Sequence, residues 1–340
     1  MPFLSGSDLR RVYQRAKEGQ YALPANNFAD FNLLHGFLDG AEAVGADCVV
    51  QLSNGACEHL GRKDMRRGLR IGAKMVQELA ESYSVGVALN LDHTRKDKSD
   101  FLRYACESQL CSSVMIDASD LPFRQNLEAT RDVVAFAHPA DVLVEAELGH
   151  VLGEEDQIQS SLTKHDEATY TKPDEALQFC RETDVDLLAV CIGTNHGVSS
   201  GQDLDLRTDL MKTCNDLFRK EGLGTFFVLH GGSGVDPKDI AYCVRNGVVK
   251  INKDTEYQFT WTQAAVQHYA GIRDSVFHPD GGPSPLGGRD GWKPDKKRFD
   301  PRPQMKVLRQ AIGKRTQEMI REGGSDGKSL FAKQAITKTA

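Results

Sequence analysis

A chain of 340 residues, 40% hydrophobic and 26% charged, is large enough to bury a sizeable core and too apolar for bulk disorder. Its net charge of −6 argues against a nucleic-acid partner, and no apolar run reaches the ~18 residues of a membrane span. Eight cysteines without a CxxC pair, several set in apolar runs, and an N-terminus with no signal-peptide core point to reduced thiols in a cytoplasm.

In chain order, residues 1–18 predict a helix, with Ser7 as N-cap and Asp8 in the first turn. Short Val/Ile/Leu-rich runs then alternate with segments apolar at i, i+3 and i+4. Tyr21–Pro24 predicts a first strand, followed by a helix over Phe31–Val44. Cys48–Leu52 and the helix Met65–Ser82 come next, then the strands Val85–Leu91 and Ser113–Ile116 with a helix over Asn126–His138. Val142–Glu147 precedes the helix Pro173–Thr183, and Leu187–Ile192 precedes Leu206–Glu221. Phe226–Leu229, the helix Pro237–Asn246 and Val248–Ile251 complete the series. Eight continuous apolar strands alternating with helices predict a parallel sheet buried on both faces, and eight is the number that closes a (β/α)8 TIM barrel, here over residues 21–270 of a single domain. An open doubly wound sheet is the alternative. Residues 271–304, rich in Gly, Pro and charge, predict a C-terminal arm. A closing helix (305–325, periodic over Gln304–Arg321) and a tail (326–340) follow.

In such barrels the reactive groups gather at the C-terminal ends of the strands. The third strand ends in Asp92 and His93, the fourth in Asp117, and the fifth in Glu145 and Glu147. His196 and His230 follow the sixth and seventh, and Asn252 and Asp254 end the eighth. Three of the ten histidines therefore share one rim. His93, His196, His230 and Glu147 make a donor set suited to Zn2+, with Co2+, Fe2+ or Mn2+ as alternatives. Asp92 beside His93 is either an acid/base or a group that orients the histidine. Gly231, Gly232, Ser233 and Gly234 after the seventh strand form a small-residue turn suited to an anion. The loop GHVLGEEDQ, with Glu154 and Glu155, is either a lid over substrate or a solvated charge run.

The ordered segments VALNLDHTRKDK, SVMIDASDLPF, VEAELGHVLGEED, IGTNHGV, LHGGSG, GVVKINKDTE and FDPR resemble the class II, metal-dependent fructose-bisphosphate aldolases, over about Tyr21 to Arg309. The resemblance implies a TIM barrel, usually a homodimer. It implies reversible cleavage of fructose 1,6-bisphosphate into dihydroxyacetone phosphate and glyceraldehyde 3-phosphate, with zinc stabilising the enediolate. It gives His93, His196 and His230 to the zinc, Glu147 to a resting or alternate metal position, and Asp117 to a second divalent ion. Asp92 matches the acid/base and Glu155 the lid carboxylate that moves a proton at C1 of the triose. Gly197, Gly231, Ser233 and Asn252–Thr255, with Asp254 among them, match the cradle for the dihydroxyacetone phosphate end. Asn27, Ser53 and Arg302 match positions near the other half of the sugar, with Arg302 at the distal phosphate. A monovalent Na+ or K+ is expected near the HGGSG turn. The chain departs from the family pattern at Ser199, Ser200, Lys253, Asp120 and Pro303. Tagatose 1,6-bisphosphate or another ketose phosphate is the alternative substrate. A barrel hydrolase using metal-bound water is a further one, although the first strand lacks the histidine pair many such enzymes carry.

Overall fold

The computed structural model describes residues 3–153, 167–198, 204 and 206–332. The strands β1 (Leu23–Asn27), β2 (Cys48–Leu52), β3 (Val87–Arg95), β4 (Ser113–Asp117), β5 (Leu143–Leu148), β6 (Leu187–Val190), β7 (Phe226–Leu229) and β8 (Val248–Lys253) close into one parallel barrel. β1 pairs with both β2 and β8, the latter in register from Leu23↔Lys250 to Asn26↔Lys253. Helices lie between the strands, so the architecture is the expected (β/α)8 barrel, and the open sheet is excluded. Among the described residues no helix is long and apolar enough to cross a membrane.

Alternation along the strands sorts the side chains. Val50, Leu89, Val114, Val144, Leu188 and Leu229 face the surrounding helices in the larger core. Leu23, Ala25, Val49, Ala88, Leu143, Leu187, Ala189, Phe226, Val228 and Val249 fill the lower interior. Helix α1 (Gly6–Gly19) closes that lower end by burying Leu9, Val12, Tyr13 and Ala16. Its N-cap is Ser5, which accepts from the Asp8 amide; Ser7, the predicted cap, instead hydrogen-bonds Asp141. All eight cysteines are buried and free, and burial pushes a thiol such as Cys48 up to about 12.

Helices α2 (Phe31–Ala43), α4 (Met65–Ala80), α6 (Phe123–Ala137), α7 (Pro173–Thr183), α8 (Thr208–Lys220) and α9 (Pro237–Arg245) lie within a few residues of their predicted limits. Helices α3 (Asn54–Gly61), α5 (Ser99–Glu107) and α10 (Thr255–Val276) go beyond the sequence expectation. The first two are short, at 8 and 9 residues, and α10 carries exposed apolar residues that blur its polar face. The arm is less irregular than its composition implies: α10 runs to Val276, and the short α11 (Lys296–Phe299) leads into α12 (Pro301–Gly323). Pro301 and Pro303 resemble loop residues, yet a first helical turn tolerates proline because its amides have no intrahelical acceptor. Asp300 caps that turn by accepting from the Arg302 amide.

Helix α12 packs on α2 through glycine. A Cβ at Gly40 would lie 2.5 Å from the Gly313 carbonyl oxygen, and one at Gly36 would lie 2.7 Å from Ile312 Cβ. Arg309 pairs with Asp39 at 2.9 Å beside this contact. Gly40→Val is expected to force the helices apart and cost about 1–3 kcal/mol; a denaturant melt with an unchanged midpoint would contradict this account of the contact.

Candidate functional site

The inward phase of the strands changes from apolar to polar halfway up. Asn27, Gln51, Asn90, Asp92, Glu145 and Glu147 occupy it, and all but Asn27 are fully buried. Water cannot solvate such groups, so they satisfy one another. Ser113 Oγ donates to Asn90, Asn90 Nδ2 to Gln51 at 2.9 Å, Gln51 Nε2 to Asn27 at 2.7 Å, and Asn27 Nδ2 to Asp92 at 2.9 Å. Asn252 Nδ2 donates to the other Asp92 oxygen at 3.2 Å. Two amides therefore fix the orientation of the Asp92 carboxylate.

Asp92 and His93 are neighbours and on a regular strand would face opposite sides. The pairing of β3 with β4 shifts register between Leu91 and Thr94, and His93 has φ +40°. This irregularity turns both side chains to the mouth. The Asn54 side chain holds it by donating to the His93 carbonyl and accepting from Thr94. His93 Nδ1 meets Asp117 at 3.0 Å. Burial works against charge on Asp117, but His93 and then Ser119 outweigh it and hold the carboxyl far below the usual range.

His196 sits in a two-residue strand, Asn195–His196, that pairs with Leu152–Gly153 outside the barrel. Gly153, the last described residue before 154–166, is the one that pairs with His196. Glu154 and Glu155 fall in that segment; Ser199 and Ser200 are likewise outside the description. His230 follows β7 and is 1% exposed. Its neighbour Gly231 has φ +60°, and a Cβ there would lie 2.6 Å from the Asn195 carbonyl oxygen. Glycine therefore lets the backbones that carry His196 and His230 touch.

The three histidines offer ligand atoms that all lie within 4.8 Å of one another. Glu147 Oε2 lies 3.0 Å from His230 Nδ1, an ion-pair distance, but neither buried atom makes a hydrogen bond. Two polar atoms aimed at the same space without hydrogen bonds are what a cation site requires. Charge agrees: Asp92, Asp117, Glu145 and Glu147 are buried in this part of the barrel with Lys250 as the buried ammonium among them. Glu145 accepts from Lys250 Nζ at 2.7 Å and faces His230 Nε2 at 2.8 Å. Burial opposes its charge, but Lys250 and then His230 bring its pKa down to about 2. Burial opposes protonation of His230, yet Glu145 and Glu147 push its pKa up to about 9. The pocket of nitrogen and carboxylate donors fits a divalent ion.

A pocket at the mouth is lined by Asn27, Asp92, Asn195, His196, Gly197, Gly231, Ser233, Asn252, Asp254 and Thr255. The sequence motifs single out every one of these except Asn195. The Gly232 amide, part of the predicted anion turn, instead donates to the Asn252 carbonyl at 3.2 Å and ties the turn to β8. Ser53 caps α3 by accepting from the Ala56 amide at 3.1 Å. Arg302 is not brought to the pocket within this chain: its side chain is 88% exposed and pairs with Asp300. Lys253 lies 3.2 Å from Glu256 and 3.5 Å from Glu322, so this buried lysine links β8 to α10 and α12.

Gln51, Asn54, Asn90, Asn195 and Lys250 join the site without having been expected there. Single polar residues inside apolar runs, Gln51 in CVVQL and Asn90 in VALNL, are the available signal. Lys250 is hidden by a register shift between Val248 and Lys250 that turns both Val249 and Lys250 inward.

The class-II fructose-bisphosphate aldolase family model matches residues 7–328. A fructose-bisphosphate aldolase of Mycobacterium leprae (strain TN) is 31% identical over 357 aligned positions, covering 98% of this chain and 100% of that protein. Among solved structures, a fructose-bisphosphate aldolase from Campylobacter jejuni superposes with a TM-score of 0.82 at 25% identity, covering 96% of this chain and 97% of that one. The YdjI aldolase from Escherichia coli K12 gives a TM-score of 0.70 at 27% identity, covering 95% of this chain and 98% of that one.

Gly231→Ala is expected to separate the His196 and His230 backbones, and so to weaken retention of a divalent metal in dialysis followed by metal analysis. Gly222→Ala, also at positive φ but with nothing within 4 Å of the added Cβ, is expected to show only backbone strain of about 1–2 kcal/mol. Equal metal retention by the two variants would contradict the contact's role.

Proposed function

The chain belongs to the class II fructose-bisphosphate aldolase family, and from that premise we propose that it splits fructose 1,6-bisphosphate reversibly into dihydroxyacetone phosphate and glyceraldehyde 3-phosphate, in glycolysis and gluconeogenesis. The observation that carries this reading is the convergence of three histidines within 4.8 Å beside a doubly anchored Asp92. His93, His196 and His230 would hold Zn2+, with Glu147 as an exchangeable ligand and Asp117 at a second divalent position. A metal bound there supplies a Lewis acid that draws electrons from the ketose carbonyl. Asp92 takes the C4 hydroxyl proton as the C3–C4 bond breaks, and in condensation it returns that proton. Its two amide donors keep an oxygen aimed at the pocket throughout.

Gly197, Gly231, Ser233, Asn252, Asp254 and Thr255 receive the dihydroxyacetone phosphate end, with a monovalent Na+ or K+ beside the Gly231–Ser233 turn. Asn27 and Ser53 serve the other half of the sugar; the Ser53 hydroxyl can donate to a ligand while accepting from its helix. Arg302 is our candidate for the distal phosphate, for which its guanidinium would exchange Asp300 for phosphate. Glu155 lies two residues beyond Gly153, whose strand pairs with His196; we assign it the proton transfer at C1 of the triose. Buried free thiols suit a cytoplasmic enzyme. We further propose a homodimer formed through α10, where Phe259, Val266 and Tyr269 are 63%, 62% and 51% exposed on one side of the helix.

A coupled triose-phosphate assay with fructose and tagatose bisphosphates side by side tests the substrate. Faster turnover of the fructose sugar, abolished by chelator and restored by Zn2+, is expected; chelator-insensitive cleavage would sink the metal reading, and preference for tagatose would replace the substrate. Asp92→Asn should lose about 100-fold or more in kcat, and wild-type turnover by this variant would remove Asp92 from its role. Phe259→Glu with Val266→Glu should shift sedimentation from dimer to monomer; an unchanged profile would reject the α10 interface.

A further inference from the structure

The polar interior contains one cluster that substrate contact does not explain. Glu145, Lys250 and His230 are each no more than 1% exposed, and Glu145 divides its oxygens between the other two: Oε1 to His230 Nε2 at 2.8 Å and Oε2 to Lys250 Nζ at 2.7 Å. None of the three atoms Glu145 Oε1, Glu145 Oε2 and Lys250 Nζ reaches the mouth pocket, whose lining excludes both residues. Stability is a poor reason for this arrangement, because replacing a buried ion pair by apolar side chains of similar volume is often neutral or stabilising. The structure also departs from regular pairing to form it, through the β8 register shift that turns Lys250 inward directly after Val249.

We propose that Glu145, anchored by Lys250, is a positioning residue that binds His230 through Nε2 and so presents Nδ1 to the metal. The inference rests on the metal-site reading above and goes beyond it by assigning the support of one ligand. An imidazole has two nitrogens, and the partner of one fixes both the tautomer and the ring angle of the other. His230 Nδ1 is the nitrogen left without a hydrogen bond, facing Glu147. His93 is held the opposite way, with Nδ1 on Asp117, so it presents Nε2. Two ligands of the same residue type therefore enter the site through different atoms, each set by its own carboxylate. Lys250 completes the device by occupying the second Glu145 oxygen from β8, so the carboxylate cannot rotate toward the metal and become a ligand itself.

Two double variants separate positioning from structure. Glu145→Leu with Lys250→Met removes both charges and the acceptor together; Glu145→Gln with Lys250→Met removes both charges but keeps an oxygen for His230. Each is compared with the wild type for Zn2+ affinity by chelator competition, for the visible spectrum of the Co2+-substituted protein, and for the melting temperature of the metal-free protein. The Leu/Met chain is expected to melt near the wild type, to bind Zn2+ about 10–100-fold more weakly, and to show an altered Co2+ spectrum. The Gln/Met chain should recover most of that affinity. Zn2+ affinity and Co2+ bands of the Leu/Met chain matching the wild type would overturn the proposal. If the Leu/Met chain does not fold, the Gln/Met chain decides: an amide accepts more weakly than a carboxylate, so a several-fold loss of affinity is expected, and none would overturn it. The metal-site reading fails separately, if the wild type binds Zn2+ no better than His230→Ala does.

Discussion

Four carboxylates, Asp92, Asp117, Glu145 and Glu147, are buried in the upper barrel, where Lys250 points an ammonium at Glu145 while the buried Lys253 turns to Glu256 and Glu322 instead. Charges taken out of water must be balanced locally or neutralised by protons. That requirement organises the site. Glu145 is matched by Lys250 and His230, Asp117 by His93 and Ser119, and Asp92 by two side-chain amides. Glu147 is the carboxylate whose second oxygen makes no hydrogen bond. The excess of negative charge is what a divalent cation relieves, and the same carboxylates, Glu145 and Glu147, push the His230 pKa upward against its burial.

The backbone accommodates these side chains by breaking regular pairing in two places. One irregularity, at His93 on β3, turns adjacent residues to the same side; the other, near Lys250 on β8, does the same three strands away around the barrel. Irregular strand geometry concentrates where a side chain must be re-aimed. The apolar floor beneath is sealed by α1, with Val249 turned into it by the second irregularity. The barrel thus combines a close-packed lower half, which fixes the strand positions, with a polar upper half, which fixes side-chain orientation.

The barrel is legible in the sequence because parallel strands buried on both faces leave long apolar runs, and Cys48–Leu52 and Phe226–Leu229 match their strands end for end. The apolar run starts β1 two residues early and ends it three residues early, the latter because its upper end, Asn26–Asn27, is polar. The three clustered histidines are legible by position at the strand ends, and the mouth residues by their ordered motifs. The supporting layer is not. Gln51 and Asn90 act through hydrogen bonds to residues far along the chain, and no local spacing reports them. Lys250 lies two residues before Asn252, where strict alternation gives both one face; but the same rule gives Val249 the other face, and only the register shift explains why all three point inward. Arg302 is legible as a guanidinium and not as one already paired with the cap of its own helix.

The floor of the barrel has a practical meaning. The bridge from Phe3 to Val87 and the bonds from Ser329 and Leu330 to Asp47 fasten both ends of the described chain near the entry points of β2 and β3. These lie at the opposite pole of the barrel from His93 and His230. The fastening of these outer segments and the polar mouth therefore occupy opposite hemispheres, so a change that loosens the floor, such as Asp47→Ala, acts on the anchoring of β2 and β3 and not on the groups that line the pocket.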